Sequence, residues 1–334
     1  MDTEILIVGA GLCGLHAAAR LQAAGRSVLV LEKSRGLSGR AATRRWNNMP
    51  VDHGAQFFTA KSPEFASQVA RWMEAGVCHE WTRGLHRFSS GQLHEPADRS
   101  HPRYACREGM AALGRALGGP LGDIVRRESK VSRLDAVDGQ WQATLEDGRL
   151  VRSRSLLLTP PPAQSRALLA ETAPMAAQEL DRHHSWPCLA VAACFSRREI
   201  PWQGIQAPDD EVLTWIGHDT SKRPELHASR TILMLHAAPS FSTTKADAPE
   251  GEIAAALLRR ASEMTSLDLC SPLEIFLQRW RYALPASGET PSGPIAQSLP
   301  APLVIAGDWS NGGRIEGAWM AGRDAAERLL ALLR

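Results

Sequence analysis

This 334-residue chain is short of several things, and each shortage removes a class of function. No apolar run approaches the ~18 residues that cross a bilayer, so no membrane segment is expected. The chain opens on a strand-like run with acids at Asp2 and Glu4 in place of a basic, apolar leader. No secretory signal is therefore expected, and a cytoplasmic location fits. The six cysteines (Cys13, Cys78, Cys106, Cys188, Cys194 and Cys270) are scattered, with no CxxC pair and no histidine at zinc spacing. Most read as small buried apolar side chains. The formal net charge is +2, which gives no reason to expect a nucleic-acid partner. There is no internal repeat, no low-complexity linker, no Ser–His–Asp order, no metal cluster and no pair of catalytic carboxylates.

What is present is concentrated at the two ends. Glu4 to Val8 is a short apolar run, and Gly9-Ala10-Gly11-Leu12-Cys13-Gly14 follows at once. A helical pattern comes next (Leu15, Ala18, Ala19, Leu21), then a second apolar run, Ser27 to Leu31, ending on Glu32. Strand, glycine turn, helix, strand and acid form the layout that holds a dinucleotide. Gly9 permits the turn, Gly11 lets backbone approach a pyrophosphate, and Gly14 lets the helix pack close. The helix N-terminus offers free N–H groups to phosphate. Glu32 lies 23 residues past Gly9, placed to accept from ribose hydroxyls. A lone GxGxxG is weak; here its strand, helix and acid are all in place.

The following residues favour FAD over NAD. Glu32-Lys33 runs into a glycine-containing basic loop that ends Ser38-Gly39-Arg40. An elongated FAD needs a second glycine turn, and a simple dehydrogenase does not. Gly39 allows close approach, and Arg40 offers a bidentate donor to pyrophosphate. At the other end, Leu303 to Ala306 is an apolar run followed by Gly307-Asp308. A polar loop, Trp309 to Arg314, precedes a terminal helix expected from Glu316 to about Leu333, opening with Gly317 and Ala318. That arrangement places backbone N–H groups where an FAD carries its ribityl chain and pyrimidine edge, and their partial positive charge stabilises reduced flavin.

These paired motifs resemble the amine-oxidase-like FAD oxidoreductases. Val51-Asp52-His53-Gly54-Ala55-Gln56-Phe57-Phe58-Thr59 and Gln278-Arg279-Trp280-Arg281-Tyr282-Ala283 resemble the renalase branch of that family, its bacterial members in particular. The resemblance covers nearly the whole chain, most closely residues 4–60 and 278–332. It implies a noncovalent FAD; spacing alone leaves attachment through Cys or His open. It also implies oxidation of isomeric dihydronicotinamides, 1,2- or 1,6-dihydro-NAD(P), to NAD(P)+, with molecular oxygen reduced to hydrogen peroxide. By the same resemblance, Gly54, Ala55, Gln56 and Phe57 run past the reactive edge of the flavin ring, and Val131 contacts adenine through its backbone.

The expected fold is α/β: a Rossmann-type FAD-binding domain of the p-hydroxybenzoate hydroxylase and monoamine oxidase kind, interleaved with a substrate domain. The first takes residues 1–60, 105–165 and 290–334, and the second 61–104 and 166–289. Residues 63–75 read as a helix, 77–104 as short strands, and Arg107 to Gly118 as a helix. A meander follows (130–136, 140–145, 150–152), then a separate buried strand at Ser155–Thr159, stopped by Pro160-Pro161-Pro162. Four further strands (189–195, 212–217, 231–236, 273–282) and a helix at 250–264 would make a mostly antiparallel sheet covering the flavin.

Candidates for contact with substrate are Trp280, Gln56 and Arg314, with His236, Trp186, Trp215 and Phe241 weaker and suited as well to packing. Neighbouring strand residues face opposite sides, so only one of Trp280 and Arg281 faces a ligand; an aromatic wall for a planar nicotinamide favours Trp280. Arg314 suits either a substrate phosphate or carboxamide, or a loop cap. Asp52 and His53 read as loop hydrogen-bonding groups. A dihydronicotinamide that loses hydride becomes a cation without releasing a proton, so no general base is required. Two alternatives stay open. A flavin amine oxidase or desaturase needs an aromatic cage, against which the count of two tyrosines weighs. Monoamine oxidases also carry a lysine-bound water near the ring, and Lys61 is the one lysine near the matching region. A non-catalytic flavin-fold binding protein, such as a GDP-dissociation inhibitor, predicts eroded phosphate motifs, and these are intact.

Overall fold

A computed structural model describes residues 2–226, 229–286 and 292–334. The chain divides into two compact units, neither contiguous: Met1–Ala41, Ala111–Ser185 and Leu284–Arg334 form one, and Ala42–Met110 with Trp186–Ala283 the other. The sequence reading set its breaks after 60, 104, 165 and 289; the last lies outside the described residues.

The first unit is built on parallel strands. Asp2–Val8 pairs with Val28–Leu31 on one side and Leu150–Leu158 on the other, and Leu303–Ile305 extends the ladder beyond Leu156–Leu158. Such strands are covered on both faces, which is why they read as unbroken apolar runs. Alternation sorts them: Ile5, Ile7, Val28, Val30, Leu157 and Val304 pack under the helices Leu12–Ala23 and Arg314–Leu332. Leu6, Leu29, Leu31, Leu156, Leu158 and Ile305 pack on the opposite side with Leu134, Trp141, Leu169 and Leu180. Each such buried aliphatic side chain contributes about 1.5–3 kcal/mol.

Several local expectations are corrected. Residues 150–158 form one strand, not two: its first half pairs antiparallel with Gln140–Leu145 and its second half parallel with Leu303–Ile305. The helix expected from Arg107 begins at Ala112, because the chain turns first at Gly109, φ +84. A Cβ on Gly109 would collide with the side chain of Thr43. Residues Asp308–Asn311 form a 3-10 turn within the expected loop, and the terminal helix begins at Arg314, two residues early.

The second unit is a seven-stranded sheet in the order 274–285, 185–196, 230–237, 213–218, 204–206, 86–89, 92–94. From strand 185–196 to strand 92–94 the pairings are antiparallel except that of Ile205 with His86, which is parallel. One face carries Val191, Phe195, Leu233, Leu235 and Ile216 against the helix Glu250–Thr265. The other carries Ala190, Ala192, Ile232, Met234 and Phe276 against Val51 of the hairpin Thr43–Trp46/Met49–Asp52.

Candidate functional site

The glycine turn of the first unit is a cradle whose dimensions are set by missing side chains. Gly9 has φ +103, and a Cβ there would sit 2.6 Å from Thr159 Oγ1. A Cβ on Gly14 would collide with the carbonyl oxygen of Gly9, so the helix lies directly on the turn. Gly11, the residue that starts the helix, has nothing within 4 Å of a Cβ position and no side-chain cap. The first-turn N–H groups of Leu12, Cys13 and Gly14 have no side-chain cap and carry the positive end of the helix dipole.

The second glycine loop is built against the first. Ser38 N–H donates to Ala10 O at 2.9 Å, and a Cβ on Gly39 (φ +58) would lie 3.3 Å from Gly11 Cα. Ser38 takes φ +92, is 2% exposed, and its hydroxyl has no partner among the described residues. Glu32 is buried; its two oxygens accept from Ala10 N–H at 2.8 Å and Ser34 N–H at 2.7 Å, pinning the acid beside the turn. Lys33 is exposed and donates to Gln164 at 3.3 Å. Val131 is buried at the head of its strand.

The C-terminal motif joins this cradle. Arg40 donates to Asp308 at 2.6 Å. Gly307 is extended, and a Cβ there would meet the Trp309 indole 2.7 Å away. Gly317 lets the terminal helix approach Asn311 O, where a Cβ would be at 2.5 Å. Ala318 is half-buried in the helix's first turns; Arg314 is exposed at φ +66 and is the first residue of that helix. Burial and the nearby Asp308 push the Cys13 thiol well above its ordinary range, so it stays neutral. The open Gly11 face, the uncapped helix start and the unpartnered Ser38 hydroxyl fit the diphosphate and sugars of FAD.

The second unit holds a cluster the sequence reading missed. Asp52, Asp219, Lys222 and Arg223 have side chains that are 0% exposed and pair reciprocally. Lys222 Nζ donates to Asp219 at 2.9 Å, Gln56 Oε1 at 3.2 Å and Asp52 at 3.3 Å. Arg223 bonds Asp52, Asp219 at 3.0 Å, Cys106 O and Pro50 O. Two carboxylates and two cations cancel. Although burial works the other way, Arg223 and Lys222 hold the Asp52 carboxyl below its ordinary range. The buried lysine is thus Lys222, while Lys61 is exposed. The i, i+3 and i, i+4 spacing of Asp219, Lys222 and Arg223 was the available signal.

The residues expected to touch substrate divide clearly. Gln56 is buried, and its amide N–H groups donate to Asp52 O at 2.6 Å and Gly54 O at 3.1 Å. With its oxygen on Lys222, the whole amide holds the 52–56 turn, so the expectation of a ring-facing Gln56 gives way to a loop-holding one. Gly54, Ala55 and Phe57 are half-buried, and the Phe57 ring lies 5.4 Å from Trp215. Trp280 is half-buried, stacks on His53 (5.4 Å between centroids, 16° apart) and donates its indole N–H to His53 O at 2.9 Å. His236 and Trp215 are cross-strand neighbours. Burial pushes the His236 imidazole down to about 3 and His53 to about 4, so both are neutral at ordinary pH. Trp186 is 43% exposed, and Phe241 packs with the opposite, helix-covered core.

Among the described residues no helix is long and apolar enough to cross a membrane, and no group of three or more His, Cys, Asp or Glu is placed to hold a metal. The fold matches that of several solved oxidases. A candidate protoporphyrinogen oxidase from Exiguobacterium sp. 255-15 is 14% identical with TM-score 0.78, covering 99% of this chain and 98% of that one. Putrescine oxidase bound to putrescine is 15% identical with TM-score 0.71, covering 100% and 99%. Cyclohexylamine oxidase from Brevibacterium oxydans IH-35A is 13% identical with TM-score 0.73, covering 99% of each. Residues 7–72 match the NAD(P)-binding Rossmann-like domain. Residues 72–330 match the flavin containing amine oxidoreductases, and the chain belongs to that family of FAD-dependent oxidoreductases.

Proposed function

We propose that this flavoenzyme is a renalase-type oxidase that takes hydride from 1,2- or 1,6-dihydro-NAD(P). The observation that carries this reading is the electrostatic character of the second unit's candidate residues. His53, His236 and Trp280 are neutral and aromatic, and the buried carboxylates Asp52 and Asp219 are already matched by Lys222 and Arg223. Such a set suits a planar, uncharged dihydropyridine ring better than an ammonium ion, which requires a carboxylate or an aromatic cage.

Gly9, Gly11, Gly14, Glu32, Arg40 and Asp308 would hold the cofactor, with the helix starts at Leu12 and Arg314 supplying N–H groups. Bound FAD supplies two-electron oxidation of an organic donor. The chain's own residues then have positioning to do and no proton to remove from the donor. Trp280, clamped by its indole N–H to His53 O, offers a rigid aromatic surface for the ring. Gln56 and Lys222 fix the 52–56 turn. Dihydro-NAD(P), oxygen and one proton give NAD(P)+ and hydrogen peroxide.

The test is anaerobic mixing of the purified protein with 1,2-dihydro-NAD, followed by air. Rapid loss of flavin absorbance, NAD+ formation and recovery with peroxide support the reading; bleaching no faster than with ordinary NADH rejects it. Because fold neighbours include putrescine and cyclohexylamine oxidases, an amine panel belongs in the same experiment, and ammonia release would favour an amine donor.

A further inference from the structure

We propose that Arg44 binds the diphosphate of the dinucleotide donor, so that the enzyme selects phosphate-bearing dihydronicotinamides over the phosphate-free riboside. The inference rests on the dihydronicotinamide reading, and every residue it uses belongs to the second unit. Arg44 stands opposite Val51 across the hairpin Thr43–Trp46/Met49–Asp52. Alternation therefore turns Arg44, Trp46 and Val51 to the side that packs on Phe276, and Thr43 and Arg45 to the other. The Trp46 ring meets Phe276 edge-on at 4.9 Å, and the Arg44 guanidinium lies over the same ring, 4.8 Å from its centroid. His53 also meets Phe276 edge-on, 6.2 Å between centroids, and stacks on Trp280 at 5.4 Å. Two rings thus separate a cation from Trp280, the surface offered to the nicotinamide.

The charge on Arg44 is exposed and uncommitted. Among the described residues its guanidinium has no hydrogen bond and no carboxylate partner, and Phe276 is its one ring contact. Contact through a ring face uses none of its five N–H donors. The acids close by are engaged elsewhere. Asp52 is matched by Lys222 and Arg223, and Glu274, on the strand of Phe276, accepts from Asn47 Nδ2 at 2.9 Å. The charge is also felt at the platform: burial is the main cause that keeps His53 neutral, and Arg44 adds to it against Asp52. In a nicotinamide nucleotide one ribose separates the ring from the first phosphate. A ring laid on Trp280 therefore carries its diphosphate a short way outward, where an arginine fork can take two phosphate oxygens at once. The same cation disfavours an ammonium donor.

The test compares 1,2-dihydro-NAD with 1,2-dihydronicotinamide riboside as donors to the holoenzyme, at low and high salt, for the wild type, Arg44→Met and Arg44→Lys. Arg44→Met keeps an alkyl cover on Phe276 and removes the charge. It should raise KM for the dinucleotide about tenfold with kcat unchanged, the mark of lost binding that is equal in ground and transition states. The riboside's KM should not change. Arg44→Lys should recover part of the loss, because it restores the charge without the fork. Added salt should raise the wild type's KM for the dinucleotide alone, and Arg44→Met should abolish that dependence. An equal loss on both donors makes Arg44 a structural residue and overturns the proposal, as does no loss on the dinucleotide. Wild-type turnover separates the two levels of inference. Oxidation of the dinucleotide that is indifferent to Arg44 removes the phosphate contact and leaves the dihydronicotinamide reading standing; turnover of neither donor removes both.

Discussion

Trp280 and His53 hold each other twice: indole N–H to backbone carbonyl at 2.9 Å, and ring against ring at 5.4 Å. The two bonds are separable by mutation. Trp280→Phe keeps a ring and loses the donor, which should cost about 1 kcal/mol of stability. Trp280→Ala also loses the stack and should lower kcat/KM for a dihydronicotinamide by about tenfold beyond the Phe variant. Urea unfolding and steady-state kinetics on both variants check this.

The two depressed imidazoles make stability depend on pH in one direction. His236 and His53 stay neutral in the folded chain down to about 3 and about 4, whereas the unfolded chain takes up their protons near 6.5. Their contribution is fully present above pH 6.5. It is lost as pH falls from 6.5 toward 4, at about 1.4 kcal/mol per pH unit for each group. Asp52, lowered chiefly by Arg223 against the opposing effect of burial, loses its contribution only at still lower pH. The urea midpoint should fall across pH 6.5 to 4, and His236→Asn should flatten that slope.

Gly11 and Gly14 should separate folding from cofactor binding. Gly11 has ordinary φ (−73) and open space around a Cβ, so Gly11→Ala should leave the apoprotein's melting temperature nearly unchanged while abolishing tight FAD binding. Gly14→Ala forces the helix off the Gly9 turn and should lower both, the stability by about 1–3 kcal/mol. Melting curves with and without added FAD distinguish the two.

Breaking the buried quartet should be costly. Asp219→Ala leaves Lys222 and Arg223 with one shared carboxylate and should destabilise by about 3–5 kcal/mol. Asp219→Asn combined with Lys222→Met removes one charge of each sign, and its cost should be well below the sum of the two single changes. Chemical unfolding of the three variants measures it.

Much of the first unit was legible because its signals are local. Gly9, Gly11, Gly14 and Glu32 lie within one strand–helix–strand unit, and Gly307-Asp308 follows its own apolar strand. The quartet was only partly legible: Asp219, Lys222 and Arg223 are locally spaced, but Asp52 lies 170 positions from Lys222, so nothing in the sequence joins the two segments. Alternation identified Trp280 and Arg281 as opposed, but not which faces the hairpin; the packing of Phe276 and Trp280 near Val51 supplied that. Gln56 looked like a free amide because the lysine that engages its oxygen lies in a distant segment.

The layout of the first unit also orders events during synthesis. Its inner strand Leu150–Leu158 awaits Leu303–Ile305, and Cys13 and His16 of the first helix lie where the terminal helix brings Gly322 so close that a Cβ would be 2.5 Å from Cys13 O. A ribosome that has released the glycine turn must still make some three hundred residues before Asp308 and the closing helix emerge. A nascent chain therefore carries the first half of the cradle, with apolar strands uncovered, until the segment around Asp308 has emerged. Chains cut before Leu303 should therefore aggregate where the full chain does not, because two segments some three hundred residues apart complete one sheet.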